Sequence, residues 1–311
     1  MAVVVGILWA LPSNHYLYLP DDPTNVDTLV RVPGEAGGET DGGVYMVDVV
    51  IRRAQLFERF FPHIYGGASL VPEEEFNPED LPDRVRREQA LEQMSASQQI
   101  ATAVALRALG YKVESQGVEV GEIEVGAPAD GPLAPGDVIV EANGIEVRTP
   151  NQLTDVMREV EPGESVQLVI QRDGAERSVT VGTKASSEDP ERAIMGIFIQ
   201  PELEFPIDIR IDAGDVGGPS AGLAFALDIY DELGDDLDAG RTIVVTGALD
   251  LDGTVEPIGG IKQKTYAAHE AGADLFVVPD DNLDAARSYA DGTEVVAVST
   301  FREALSVLTS A

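Results

Sequence analysis

An α+β, multi-domain protein is what this sequence predicts, and three observations carry it. The chain has 311 residues, a length that suits about two folded domains. Good helix formers run from about residue 84 to 109, with Ile100, Val104 and Ala108 one turn apart and Gly110 as a C-terminal stop. Directly behind them, residues 108–185 switch to short alternating apolar runs broken by turn residues, which is the signature of a small β-rich module.

Taken in order, the chain opens on Ala2–Leu11 (AVVVGILWAL), ten apolar residues without a charge. A membrane-spanning helix needs about 20 residues, so three readings stay open. The run is a buried first strand or helix, a signal-peptide core, or the second half of a membrane anchor that begins upstream of Met1. The third is favoured, because no Lys or Arg precedes the run and the first basic residue is Arg31. Residues 1–20 are then an anchor remnant with its linker, and the rest lies on one side of a membrane. Residues 34–43 (GEAGGETDGG) read as a polar loop and Val44–Ile51 (VYMVDVVI) as one strand, within an N-terminal α/β region over 21–107. Pro72–Pro82 carries three prolines and five carboxylates, which suits a solvated connector. Within the β-rich module, Val118–Val125 and Val138–Val140 give strands, and Thr149-Pro150 starts a helix with Leu153, Val156, Met157 and Val160 on one face. Val166, Leu168 and Ile170, the Asp173-Gly174 turn, then Val179 and Val181 make a hairpin.

Composition narrows the function. With 21 Lys and Arg against 55 Asp and Glu, the formal charge of −34 opposes nucleic acid and anionic membrane surfaces. Zero cysteines exclude disulfides and thiolate chemistry. The fourth position after His269 is Ala273, so His269-Glu270 is not a zinc motif, and neither a metal nor a cofactor is expected.

Chemistry concentrates in the last 120 residues. Gly217–Gly222 (GGPSAG) precedes a helical face of Leu223, Ala226, Leu227 and Tyr230, which puts Ser220 at or beside a helix N-terminus. Unpaired N–H groups and the positive end of the helix dipole there can hold the oxyanion of a tetrahedral intermediate. None of the three histidines, His15, His63 and His269, belongs to a triad motif. Of only four lysines, Lys262 and Lys264 fall in GGIKQK over 259–264, and a helix runs on to Gly272. A lysine at this helix start is disfavoured as the ammonium, so Lys262 is the expected general base.

Two resemblances give these features a context. Ala108-Leu109-Gly110-Tyr111, Gly126-Ala127-Pro128-Ala129 and Leu133-x-x-Gly136-Asp137-Val138-Ile139 with Asn143-Gly144 resemble the ordered motifs of PDZ domains. The resemblance implies a PDZ domain over 108–185, with Leu109, Gly110 and Tyr111 as a loop that holds a peptide carboxylate while the peptide adds as a strand. A PDZ fold used only as a spacer stays open. GPSAG at 218–222, Thr246-Gly247, and PIGGIKQK at 257–264 followed by AAHEAG resemble the proteolytic domain of Lon, a Ser-Lys protease, and imply an α/β domain over 186–311. By this resemblance Ser220 is the nucleophile and Lys262 the base, Thr246 orients the lysine, and Gly218, Pro219 and Ala221 support the oxyanion. Gly217 and Ala248 stand where many Lon proteins carry acidic residues.

The sequence contains no GxxxxGK[ST] phosphate loop. An apolar start, a PDZ module and a Lon-type domain in that order resemble the bacterial membrane-anchored PDZ-Lon proteins. The resemblance implies an ATP-independent serine endopeptidase outside the cytoplasm, held at the cell membrane by a single N-terminal pass. Its partners would be proteins or peptides, bound by free C-termini at the PDZ domain, with a homo-oligomer open. The alternative from another class is an inactive PDZ scaffold on a Lon-like domain.

Overall fold

The computed structural model describes residues 11–33, 42–61, 64–78, 80–187, 189–234 and 237–309. Most of the Ala2–Leu11 run and of the 34–43 loop therefore lies outside the described residues. None of the described helices is long and apolar enough to cross a membrane.

The strands are β1 (Pro12–Pro20), β2 (Thr24–Asn25), β3 (Gly43–Met46), β4 (Val49–Gln55), β5 (Ser69–Pro72), β6 (Glu114–Ile123), β7 (Val138–Ala142), β8 (Ser165–Arg172), β9 (Ala175–Gly182), β10 (Ile197–Glu204), β11 (Thr242–Val245), β12 (Leu275–Pro279) and β13 (Val295–Val298). The helices that matter for the site are α1 (Leu56–Phe60), α2 (Asp83–Ala108), α3 (Pro150–Arg158), α4 (Gly222–Leu233), α5 (Ile261–Glu270) and α6 (Phe301–Thr309).

Two compact units divide the chain, and they correct the expected boundaries at 1–20, 21–107, 108–185 and 186–311; Pro12–Pro20, expected as linker, is the strand β1 of a sheet. One unit combines residues 1–110 with 207–311, and the other is 111–206. The N-terminal region is not a domain of its own because β3 pairs in parallel with β11, Val44 opposite Ile243 and Met46 opposite Val245. That pairing completes a sheet in the order β2-β3-β11-β12-β13. Alternation sorts its residues onto two faces. Val44, Met46, Ile243, Val245 and Val277 pack with α2 and α4, including Leu223, Phe225 and Leu227. Val244, Phe276 and Val278 pack on the other face against Ala267 and Ala268 of α5. Parallel strands buried on both faces require helices on both, and α4 and α5 supply them.

A second sheet in the same unit, β4-β1-β5, is antiparallel. The single strand expected over Val44–Ile51 is in fact two, β3 and β4, broken at Val47-Asp48. The break lets the chain leave one sheet and enter the other.

The β-rich unit has the sheet order β9-β8-β7-β6-β10. Its local signals hold: Thr149 caps α3 by accepting from the Gln152 N–H, and Asp173-Gly174 turns with both φ angles positive, as a tight hairpin requires. Residues beyond 185 belong here as well, because β10 pairs along the whole of β6, from Ile197 opposite Ile123 to Glu204 opposite Glu114. Its core is Val118, Val120, Ile139, Leu153, Leu168 and Ile170 with their neighbours.

Candidate active site

The parallel strands β3 and β11 end side by side, and the segments that leave their carboxyl ends carry the site. From β3 comes Val47-Asp48, and from β11 comes Thr246-Gly247. Ligands of open α/β sheets gather at such carboxyl ends. Ser220 arrives from the loop before α4 on one face, and a lysine arrives from α5 on the other.

That lysine is Lys264. Its Nζ lies 2.6 Å from Ser220 Oγ, 2.9 Å from the Val47 carbonyl oxygen and 3.1 Å from Thr246 Oγ1. The residue is 2% exposed. Burial lowers its pKa to about 8, against the opposing pull of the Asp48 carboxylate. Asp48 is itself pushed above the usual carboxylate range by burial, although it accepts from the Val49 N–H.

Lys262, the expected base, points elsewhere. Its Nζ donates to the Ala68 carbonyl at 2.7 Å and lies 3.2 Å from Ser69 Oγ, where β5 begins. On an α-helix, residues two apart are about 200° apart in direction, so Lys262 and Lys264 cannot both face Ser220. The helical register contained the signal that separates them. Lys264 shares a face with Ala267 and Ala268, at spacings of three and four, and both alanines are buried. The Val47-Asp48 segment went unnoticed in the sequence, where its mark is a single charge inside an otherwise apolar run.

The serine loop is held by hydrogen bonds from several directions. The Ser220 carbonyl accepts from the Gly247 N–H at 2.9 Å and from Thr246 Oγ1 at 3.2 Å. The Leu223 N–H returns a bond to the Gly247 carbonyl. Behind the loop, Ser97 Oγ of α2 donates to the Pro219 carbonyl, and a Cβ on Gly222 would come within 2.7 Å of that same Oγ. Gly218 has φ +88°, a conformation that favours glycine.

Gly218 and Pro219 are corrected as oxyanion donors. The Gly218 N–H is spent on the Ala90 carbonyl at 2.7 Å, and proline has no N–H. Ala221 is the N-cap of α4 and has no side-chain cap. The N–H groups of Ser220 and Ala221 make no hydrogen bond among the described residues, and they sit at the positive end of the α4 dipole. Thr246, expected to orient Lys262, contacts Ser220 and Lys264 instead. No cluster of His, Cys, Asp and Glu among the described residues could hold a metal ion.

The expected carboxylate loop at Leu109-Gly110-Tyr111 is also corrected. Leu109 caps α2, and Gly110 ends it with φ +88°. The strand that follows, β6, is enclosed by β7 and β10. A strand with partners on both sides cannot take a peptide as a further strand. In this unit the free edges are β9 and β10, and α3 packs beside β10.

Comparison with known proteins cuts the chain near the boundaries expected from sequence, not at the limits of the packed units. Residues 198–309 match the Lon protease (S16) C-terminal proteolytic domain, and residues 102–183 match the PDZ domain. The chain is 39% identical to Lon protease 2 of Bacillus subtilis over 103 residues, which is 33% of this chain and 18% of that protein. It is 33% identical to the Lon protease of Rickettsia felis over 108 residues, 33% of this chain and 14% of that protein. The chain thus spans under a fifth of the length of either relative. Among solved structures, the PDZ domain of an SdrC-like protein from Listeria monocytogenes shares 21% identity, with a TM-score of 0.27, over 29% of this chain and 93% of that one. The chain therefore carries a PDZ domain and a Lon-type proteolytic domain, and Ser220 and Lys264 both lie in the second.

Proposed function

We propose that the protein is a serine endopeptidase that works without ATP through a Ser220–Lys264 dyad. The observation that carries this reading is the buried Lys264 amine 2.6 Å from Ser220 Oγ at the start of α4. A neutral amine has two N–H bonds and one lone pair. With the N–H bonds directed to the Val47 carbonyl and Thr246 Oγ1, the lone pair faces Ser220 Oγ and can take its proton. Thr246 and Val47 are then positioning groups that orient the base.

As Ser220 Oγ attacks a peptide carbonyl, its proton passes to Lys264, and the N–H groups of Ser220 and Ala221 receive the oxyanion. The lysinium then gives that proton to the leaving amine, and an acyl-enzyme remains. Water attacks the ester with neutral Lys264 again as base, and Ser220 is regenerated.

Several further expectations belong to this reading. The enzyme acts outside the cytoplasm, anchored through the Ala2–Leu11 run. Substrates or partners are recognised by their C-termini at the PDZ domain, and the edge of β10 beside α3, not the Leu109–Tyr111 loop, is the place for such a strand to add. The test is incubation with an unfolded protein, with and without ATP and Mg²⁺, wild type beside Ser220→Ala. Cleavage that is independent of ATP and lost in Ser220→Ala supports the reading; intact substrate with the wild type makes the chain a scaffold.

A further inference from the structure

The described surface carries an apolar cluster that the active site does not use. Phe60 is 65% exposed, Phe61 55%, Ile64 52% and Leu11 46%. All four lie on or beside the short helix α1. The Phe61 ring leans on that of Phe57 with centroids 5.0 Å apart, so the cluster has a packed base and an open top. Arg59, exposed between these residues, donates to Asn14 Oδ1 and makes no ion pair among the described residues, in a chain of net charge −34. Large apolar side chains grouped this way mark an interaction surface, and a basic residue among aromatic ones suits the boundary between water and lipid.

Chain connectivity identifies what covers it. The Leu56 N–H at the head of α1 donates to the Leu11 carbonyl at 2.8 Å, and Pro12 pairs with Gln55. The ten-residue apolar run that ends at Leu11 therefore enters the folded unit at the base of the cluster. A helix rises about 1.5 Å per residue, which puts Phe60 within about one turn of that entry point. A bilayer that holds the run as far as Leu11 lies against Phe60, Phe61 and Ile64.

We propose that Leu11, Phe60, Phe61 and Ile64 form a membrane-interface patch that seats the catalytic unit on the surface of a neutral lipid bilayer. The inference rests on the anchoring proposed above, and the two have separate reporters. Trp9 is the only tryptophan, so wild-type emission reports the run alone, while Phe60→Trp combined with Trp9→Phe reports the patch alone. Both proteins are mixed with phosphatidylcholine vesicles whose acyl chains are brominated.

The expected result is a blue shift and quenching of the Phe60→Trp emission, and a fall in vesicle partition of at least tenfold when Phe61→Ser and Ile64→Ser are added. Unchanged circular dichroism shows that these surface substitutions leave the fold intact. Quenching of Phe60→Trp without quenching of Trp9 ends the anchor and leaves the patch standing. Quenching of Trp9 alone, unchanged partition, or no vesicle binding overturns the patch. A lipid-independent dimer that Phe61→Ser and Ile64→Ser dissolve would also overturn it, in favour of a second copy of this chain.

Discussion

The two lysines of α5 are two residues apart and inhabit opposite surroundings. Lys262 is half-buried, ties the turn at Ala68 and Ser69 to the helix, and approaches the ring of Tyr289 at 5.7 Å. Gln263 helps it through the Gly67 carbonyl and Ser69 Oγ. Lys264 is enclosed between two strand ends and meets a serine, a threonine and one carbonyl. The same side chain on the same helix is a latch in one place and a candidate base in the other. What separates them is direction: Lys264 is turned into a dry site, where an ammonium loses its hydration and its proton becomes easier to remove.

The largest effects should fall on activity. Lys264→Met and Lys264→Arg are expected to lose at least about 10⁴-fold in peptidase rate, as Ser220→Ala does, since arginine keeps its proton. Lys262→Arg should stay within about threefold of wild type, and Lys262→Met should cost about 1 kcal/mol of stability from its lost hydrogen bonds while remaining active. Peptidase assays on the five proteins, each checked by circular dichroism, decide the matter. Loss in Lys262→Arg with activity kept in Lys264→Arg would reverse the roles.

Next in size is the response to pH. Only the neutral lysine accepts a proton, so single-turnover rates should climb as pH rises through about 8 and level off above it. Lys262→Met should follow the same curve. A midpoint that moved with Lys262 but not with the groups around Lys264 would break the contrast.

Smaller effects concern stability. Lys264 has a lower pKa folded than unfolded, so the folded state is penalised while both states are protonated, below about pH 8, and the penalty fades as pH rises towards the ordinary lysine value near 10.4. Lys264→Met should therefore be more stable than wild type at pH 7, by up to about 3 kcal/mol, with the gap narrowing between pH 8 and 10 in denaturant titrations. A gap that is absent at pH 7, or constant with pH, would mean that the amine is not held in a dry site.

A second buried charge gives this contrast a control with the opposite sign. Asp228 of α4 is 4% exposed, its Oδ2 has no hydrogen-bond partner among the described residues, and burial with the nearby Glu232, Asp27 and Asp231 carboxylates pushes its pKa up to about 8. Here the folded state binds the proton more tightly, so stability is fully present below pH 4 and is lost as pH rises through 8. Asp228→Asn should raise the midpoint of thermal unfolding at pH 8 and leave it unchanged at pH 4.

Local features could be read along the chain. The Gly217–Gly222 loop in front of an apolar helix, the Thr149 cap, the Asp173-Gly174 hairpin and the long helix before Gly110 are all written within a few residues of one another. Turns, caps and amphipathic faces depend on neighbours within one or two turns of chain. Ser220 and Thr246 were legible for the same reason, as short motifs. The choice between Lys262 and Lys264 was legible only in part: helical register sets Lys264 with Ala267 and Ala268 and Lys262 apart from them, but the packing of those alanines against β11 and β12 decides that theirs is the face turned inward. The contribution of Val47 was not legible, since it reaches the site because β3 pairs with a strand about 200 positions later in the chain. The free edge of the PDZ unit was hidden likewise, because β10 comes after the hairpin yet pairs with the module's first strand. Pairing across long stretches of chain is decided by the burial of whole faces, and no local pattern records which strand will lie beside which.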